Sequence, residues 1–177
     1  MKLHEVAKQS NRHTKIKQWL DQHEIKNYTI RPDGIVDVDG RVALTGDVLV
    51  GNENSRLITL PIQFGKVNGV FSCAGCVKLK SIKGFPQYVM NNLYCDATNI
   101  TSLSGIDKII KQISGGFYCD AGVTHILGLL LIKGITKIDI DQGHTIDQIM
   151  NKYLGTGDIL SAQDELIDAG LIDQARL

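Results

Sequence analysis

The chain has 177 residues, 43% of them hydrophobic, with 19 Lys and Arg balanced by 19 Asp and Glu. That length fits one domain or a short capped solenoid, and the composition argues against a disordered chain. With no net charge there is no whole-chain field to favour nucleic acid or a membrane surface.

Charge is uneven along the chain. Residues 1–31 carry seven Lys/Arg against three Asp/Glu, and residues 139–177 carry two against eight. The simplest expectation is solvated end caps of opposite sign. Met1 opens a polar segment without the apolar core of an export signal. The longest apolar run, Ile126 to Ile132, is too short to span a bilayer. No membrane partner is therefore expected, and the four cysteines are expected as free thiols in the cytoplasm.

Residues 1–23 read as a helix, with Ile16, Trp19 and Leu20 at i, i+3, i+4 on one apolar face and Thr14 as its N-cap. The lysines of this segment read as spread over several helix faces. Residues 25–50 change period: Tyr28, Ile30, Ile35, Val36, Val38, Val42, Leu44, Val48 and Val50 are punctuated by Pro32-Asp33-Gly34, Asp39-Gly40 and Gly46. Short strands joined by tight turns are predicted there.

Residues 51–138 repeat. An aliphatic pair three residues apart recurs as Leu57/Leu60, Leu79/Ile82, Ile100/Leu103 and Val123/Ile126, at successive intervals of 22, 21 and 23. Ahead of the last three pairs stand Gly69-Val-Phe71-Ser-Cys73, Asn91-Asn-Leu93-Tyr-Cys95 and Gly115-Gly-Phe117-Tyr-Cys119. A period in the low twenties is that of leucine-rich-repeat solenoids, in which no repeat buries its apolar face alone. Strand alternation sends Phe71, Leu93 and Phe117 inward with Cys73, Cys95 and Cys119. Ser72, Tyr94 and Tyr118 then face outward, with Ala74, Asp96 and Asp120. Gly84, Gly105 and Gly128 supply freedom for the bend to the next repeat, and Pro61 and Pro86 stiffen equivalent corners.

Beyond Ile140 the pattern becomes helical. Thr145-x-x-Gln148 has the form of a capping box, and Gly155-Thr-Gly157 reads as a linker between helices. Asp158 can cap a second helix that stops at Gly170, followed by a short final turn. The predicted fold is an α/β repeat: a short, irregular leucine-rich-repeat-like solenoid with a parallel sheet and helical caps at both ends. Its parts are an N-terminal cap over 1–50, the solenoid over 51–138 and a helical cap over 139–177, in one compact unit.

Leu93-Tyr-Cys-Asp96 followed by Ile100-Thr-Ser-Leu103-Ser-Gly105 resembles leucine-rich-repeat-like accessory proteins of bacteriophages. Those proteins repeat Gly-Asp-Phe-Tyr-Cys-Ser-Asn-Asn-x-Leu-Thr-Ser-Leu-x-Gly. Ile25-Lys-Asn-Tyr-Thr-Ile30, Leu60-Pro-Ile-Gln-Phe64 and Glu165-Leu-Ile-Asp-Ala-Gly170 are similar to the same family, so the resemblance covers nearly the whole chain. Ala74-Gly75-Cys76 and Asp120-Ala121-Gly122 depart from the Ser-Asn-Asn of that pattern, which removes most of an asparagine ladder. The resemblance implies a non-enzymatic module that binds a host or viral protein, with inhibition of a host-defence protein as its narrower form.

Residues that could carry chemistry are few. Cys73-x2-Cys76 matches a zinc-ligand spacing, but three of the four cysteines share one repeat position, which a buried ladder explains without metal. The histidines at 4, 13, 23, 125 and 144 have no ligand spacing, and His125 reads as a surface loop residue. Asp37-x-Asp39-Gly40 and Asp139-x-Asp141 read as turns. No catalytic set, cofactor motif or metal set is proposed. The candidate partner-binding residues are Tyr94, Tyr118, Asp96 and Asp120 on the outward ladder, since tyrosine offers contact area at low entropic cost. The alternative is a nucleic-acid-associated accessory factor that uses Lys8, Arg12, Lys15 and Lys17 of the basic N-terminal helix.

Overall fold

The computed structural model describes residues 3–44, 56–140, 142 and 144–177, with the side chains of 3–7 excepted. The turn expected at Gly46, the strand residues Val48 and Val50, the boundary at 50/51 and Asp141 lie outside the described residues. Helix α1 (Leu3–Gln22) leads into β1 (Tyr28–Ile30), β2 (Ile35–Val38) and β3 (Val42–Ala43). The coil continues through β4 (Gln63–Val67), β5 (Phe71–Ser72), β6 (Tyr88–Val89), β7 (Leu93–Tyr94), α2 (Ile106–Ile109), β8 (Gln112–Ile113) and β9 (Gly116–Tyr118). A 3-10 turn (Leu127–Leu131), β10 (Lys137–Asp139), α3 (Thr145–Tyr153) and α4 (Ile159–Asp168) complete it.

The sequence predicts one parallel sheet; the chain builds two. The first is five-stranded in the order β1-β2-β4-β6-β8, and the second is five-stranded in the order β10-β9-β7-β5-β3. All pairings are parallel except β1 with β2. Each turn of the coil lays one short strand in each sheet and returns along a third side. The parallel-strand solenoid with helices at both ends is therefore present.

Stacking in register gives two buried columns. In the second sheet Val42, Phe71, Leu93, Phe117 and Ile138 are successive partners, and each is 0% exposed. In the first sheet Val38, Val67, Val89 and Ile113 are likewise successive partners, and all four are buried. The inward ladder thus runs one rung further at each end than the repeats suggest. The aliphatic pairs occupy the third side, where Lys80 N donates to Ile58 O (3.0 Å), Asn99 N to Leu79 O (2.9 Å) and Thr124 N to Thr101 O (3.0 Å). Leu79, Ile100 and Val123 are buried there and Leu57 is half-buried against the same core.

Gly84 turns with φ +90°, and a Cβ there would lie 2.6 Å from Ile62 O of the rung below, so both conformation and space require glycine. Gly128 does not fit that role. It lies buried inside the 3-10 turn without a positive φ, beneath Ile106 of the preceding rung. There the return side is a helical turn instead of a glycine bend.

The two ends are closed differently. Helix α1 buries Ile16 and Leu20, and its half-buried Trp19 meets Phe64 edge-on at 6.3 Å. Phe64, Phe71 and Phe85 continue that aromatic contact at 5.4 and 5.5 Å. Thr14 is no N-cap: it lies within α1, and its hydroxyl donates to Ser10 O at 3.0 Å. At the other end, β10 would present an open edge. The Asn151 side chain of α3 covers it, accepting from Ile138 N (2.8 Å) and donating to Ile138 O (2.6 Å) as a neighbouring strand would. Buried Asp147 accepts from Ile140 N at 2.6 Å.

Helix α3 begins one residue earlier than a Thr145 cap requires, with His144 at the cap position and Thr145 already in the helix. Asp158 caps α4 as expected, accepting from Ser161 N at 3.1 Å. Gly170 ends α4 at φ +79°, where Gly170 N donates to Ile167 O and Leu171 N to Leu166 O, the pairing of a Schellman motif. The final segment then returns to the coil, with His125 N donating to Asp173 O and Ile126 N to Gln174 O. Asp37 and Asp139 are strand residues and not turn residues. Asp37 receives Arg31 Nε and Nη2 at 2.7 Å each and Lys66 N at 2.7 Å. No helix among the described residues is long and apolar enough to cross a membrane.

Leu103 is fully buried and its amide donates to Thr124 O. Leu103→Ala is expected to lower stability by about 2–5 kcal/mol, through lost transfer energy plus a cavity. Denaturant unfolding measures it, and an unchanged midpoint would contradict this placement.

Candidate functional site

The inward half of each rung is committed to the core, so chemistry must sit on the outward half. On the second sheet, Ser72, Tyr94, Tyr118 and Asp139 are register partners on β5, β7, β9 and β10. The Tyr94 and Tyr118 rings stack with centroids 4.5 Å apart and planes at 16°. Both residues are half-buried.

Neighbouring side chains hold this pair. Asn92 Nδ2 donates to the Tyr94 hydroxyl at 2.7 Å, and Asn92 Oδ1 accepts from Gly116 N at 2.8 Å. The Tyr118 ring folds back over Gly116, where a Cβ would lie 2.7 Å from the ring's Cζ. Lys137, the register partner of Gly116, places Nζ 5.6 Å from the Tyr118 centroid and 2.6 Å from Asp139 Oδ2.

Beyond the rings, Asp96, Tyr118, Asp120 and Asp139 border an open cleft of about 570 Å³, which His144 also lines. Burial raises the Asp96 carboxyl above the usual Asp range. A hydrogen bond from its own backbone opposes this, and repulsion from Asp120 and Asp139 adds to it. Of the four expected residues, Tyr118, Asp96 and Asp120 share the cleft, while Tyr94 stacks behind Tyr118 without lining it.

Asn92, Lys137, Asp139 and His144 were not anticipated as site residues. A signal existed for two of them: Ile138 follows Phe117 by 21 residues, the repeat interval, which makes Lys137 and Asp139 the outward residues of a further rung.

The cysteines make structural contacts. The four cysteines are buried and free. Cys73, Cys76 and Cys95 donate to backbone carbonyls of neighbouring rungs, at 3.5 Å to Tyr94 O, 2.6 Å to Leu44 O and 3.2 Å to Tyr118 O. Burial is the main cause that pushes the Cys73 thiol well above its ordinary value; for Cys95 it is the hydrogen bond with Cys119, followed by burial. Neutral thiols are poor nucleophiles and poor metal ligands. Among the described residues no group of three or more His, Cys, Asp or Glu is arranged to hold a metal ion.

His125 is half-buried and bridges rungs, which differs from an exposed loop residue. Its Nδ1 is shared by Ser102 Oγ (3.2 Å) and Thr124 Oγ1 (2.9 Å). Among the described residues no carboxylate orients the ring, so this contact lacks the third member of a catalytic set. Lys8, Arg12 and Lys15 border one cleft together, whereas Lys17 borders another on the far side of α1. These cations are thus partly gathered, not spread evenly. No protein-family model, curated protein or solved structure matches the chain.

A carboxyl with a raised folded-state pKa binds its proton more tightly when folded. Stability from protonation therefore grows as pH falls through that raised value, and charged Asp96 is a cost at neutral pH. Asp96→Asn is expected to raise the melting temperature at pH 7, with the gain shrinking towards pH 4. Thermal melts across that range test it; a variant less stable than wild type at pH 7 would contradict it.

Proposed function

We propose that the protein is a non-enzymatic protein-binding module whose contact surface is the outward face of the second sheet. The observation that supports it is the stacked Tyr94–Tyr118 pair, braced by Asn92, Gly116 and Lys137 beside the carboxylates Asp96 and Asp120. Rings already fixed in place lose little entropy on contact, so their buried area converts efficiently into affinity. The carboxylates select a partner that presents Lys or Arg beside an apolar side chain.

The narrower reading, a phage accessory protein that binds a host protein and inhibits a defence system in the host cytoplasm, rests on the sequence resemblance. Four free thiols are compatible with that compartment.

Capture from a bacterial lysate with wild type and with Tyr94→Ala/Tyr118→Ala tests the surface. At least one specific partner is expected on wild type, with affinity reduced about 30-fold or more in the double variant, the effect of losing roughly 2 kcal/mol at a hot spot. Cross-strand ring stacking also stabilises a sheet, so both proteins are melted in parallel. A lower melting temperature with an unchanged set of partners, or no partner on either protein, would overturn the proposal.

A further inference from the structure

Helix α1 does more than close the coil. Along one side it leaves a cleft of about 530 Å³ against the Gly34 turn and residues 61–63, within the size range of small-ligand sites. Lys8, Arg12 and Lys15 stand along this cleft at i, i+4 and i+7, next to the Ile16 and Trp19 stripe that packs on the core. All three are exposed, and none forms an ion pair among the described residues.

Arg12 is seated: its guanidinium lies so close to Gly34 that a Cβ there would be 2.7 Å from Cζ. The opposite wall is apolar, from Pro61 and Ile62, and Trp19 adds an aromatic edge. Amides complete the set. Gln63 uses its Nε2 on Phe64 O and Phe85 O, which leaves Oε1 as an acceptor, and the Asn11 side chain has no hydrogen-bond partner among the described residues.

We propose that this cleft binds a nucleotide, with its phosphate on Lys8, Arg12 and Lys15 and its base against the Trp19 and Ile62 side. Cations without acidic partners favour a compact anion over a neutral ligand. The apolar and aromatic wall with free amide groups favours a base over a bare phosphate or a carboxylate side chain. The shared chemistry is that of a nucleotide, whether free or as a unit of a single strand. This site is independent of the tyrosine face, and either can fail without the other.

The chain's only tryptophan borders the cleft, so its fluorescence reports occupancy. The intact protein is titrated at low salt with AMP, adenosine, inorganic phosphate, a short single-stranded oligonucleotide without terminal phosphate, and poly-glutamate. Calorimetry provides a second readout. AMP or the oligonucleotide is expected to bind saturably and at least about tenfold tighter than adenosine, phosphate or poly-glutamate. Lys8→Gln/Arg12→Gln/Lys15→Gln, three exposed positions, is expected to weaken that binding about tenfold or more while leaving the melting temperature unchanged.

Binding of AMP without the oligonucleotide identifies a free nucleotide. Binding of both identifies a strand, with a log–log salt slope of about −2 for three phosphate contacts. No saturable binding of either nucleotide, an equal response to phosphate or poly-glutamate, or a triple variant that binds like wild type would overturn the proposal.

Discussion

The hydrogen bond from each rung to the next is the constraint on which the rest of the structure depends. Most strands are only two or three residues long, too short to be stable as isolated pairs. They persist because the inner strands of each sheet are paired on both sides, and because pairing places one large apolar side chain per strand directly above another. The column from Val42 to Ile138 is that arrangement in its clearest form. A shift of one residue in any rung would turn the column outward and bring polar neighbours inward, so register is specified at every level. Three of the four buried thiols follow the same logic: Cys73, Cys76 and Cys95 each donate to a carbonyl of an adjacent rung instead of leaving a polar atom unpaired.

A stack held together by edges must end somewhere. At the C-terminal end the solution is chemical: one amide side chain, Asn151, imitates the backbone of a missing strand, and Asp147 takes the next free amide. Both come from one face of α3, so closing the sheet and docking the helix are a single event. At the N-terminal end the solution is hydrophobic. The Ile16, Trp19 and Leu20 stripe lies over Phe64 and its aromatic neighbours, and the antiparallel β1 forms the outer edge of the first sheet.

What the sequence disclosed follows from the length of each signal. The inward ladder of the second sheet was legible because Phe71-Ser-Cys73 and its two counterparts alternate over three residues and recur. Within the repeats the first sheet was not legible, although its opening strands β1 and β2 fall where short strands are predicted. Tyr88-Val89 and Gln112-Ile113 each contribute one inward residue, which is no period at all. Val42 stands 29 residues before Phe71, outside the repeat interval, and Lys137-Ile-Asp139 lacks the aromatic and cysteine that mark its neighbours. The tyrosine pair was legible from alternation and spacing. Its support was not, because Asn92 and Gly116 act through contacts between rungs, and the grouping of Lys8, Arg12 and Lys15 needs the position of Gly34 and Ile62 to become a cleft.

The outward face carries its own argument. If sheet stability alone governed these positions, β-branched residues would serve them well, and neighbouring carboxylates would be avoided. The chain instead places Asp96 where burial and two further carboxylates raise its proton affinity. It also puts glycine at 116, a poor strand residue, which makes room for the Tyr118 ring to lie back over the sheet. Each choice costs stability in a fold whose rungs depend on one another. Two such choices on one small patch, with Lys137 aligned above the same ring, set it apart from the polar residues that cover the other turns. Under the proposed protein-binding reading, residues that the core does not require, and that the sheet would be better without, are accounted for by what that face meets.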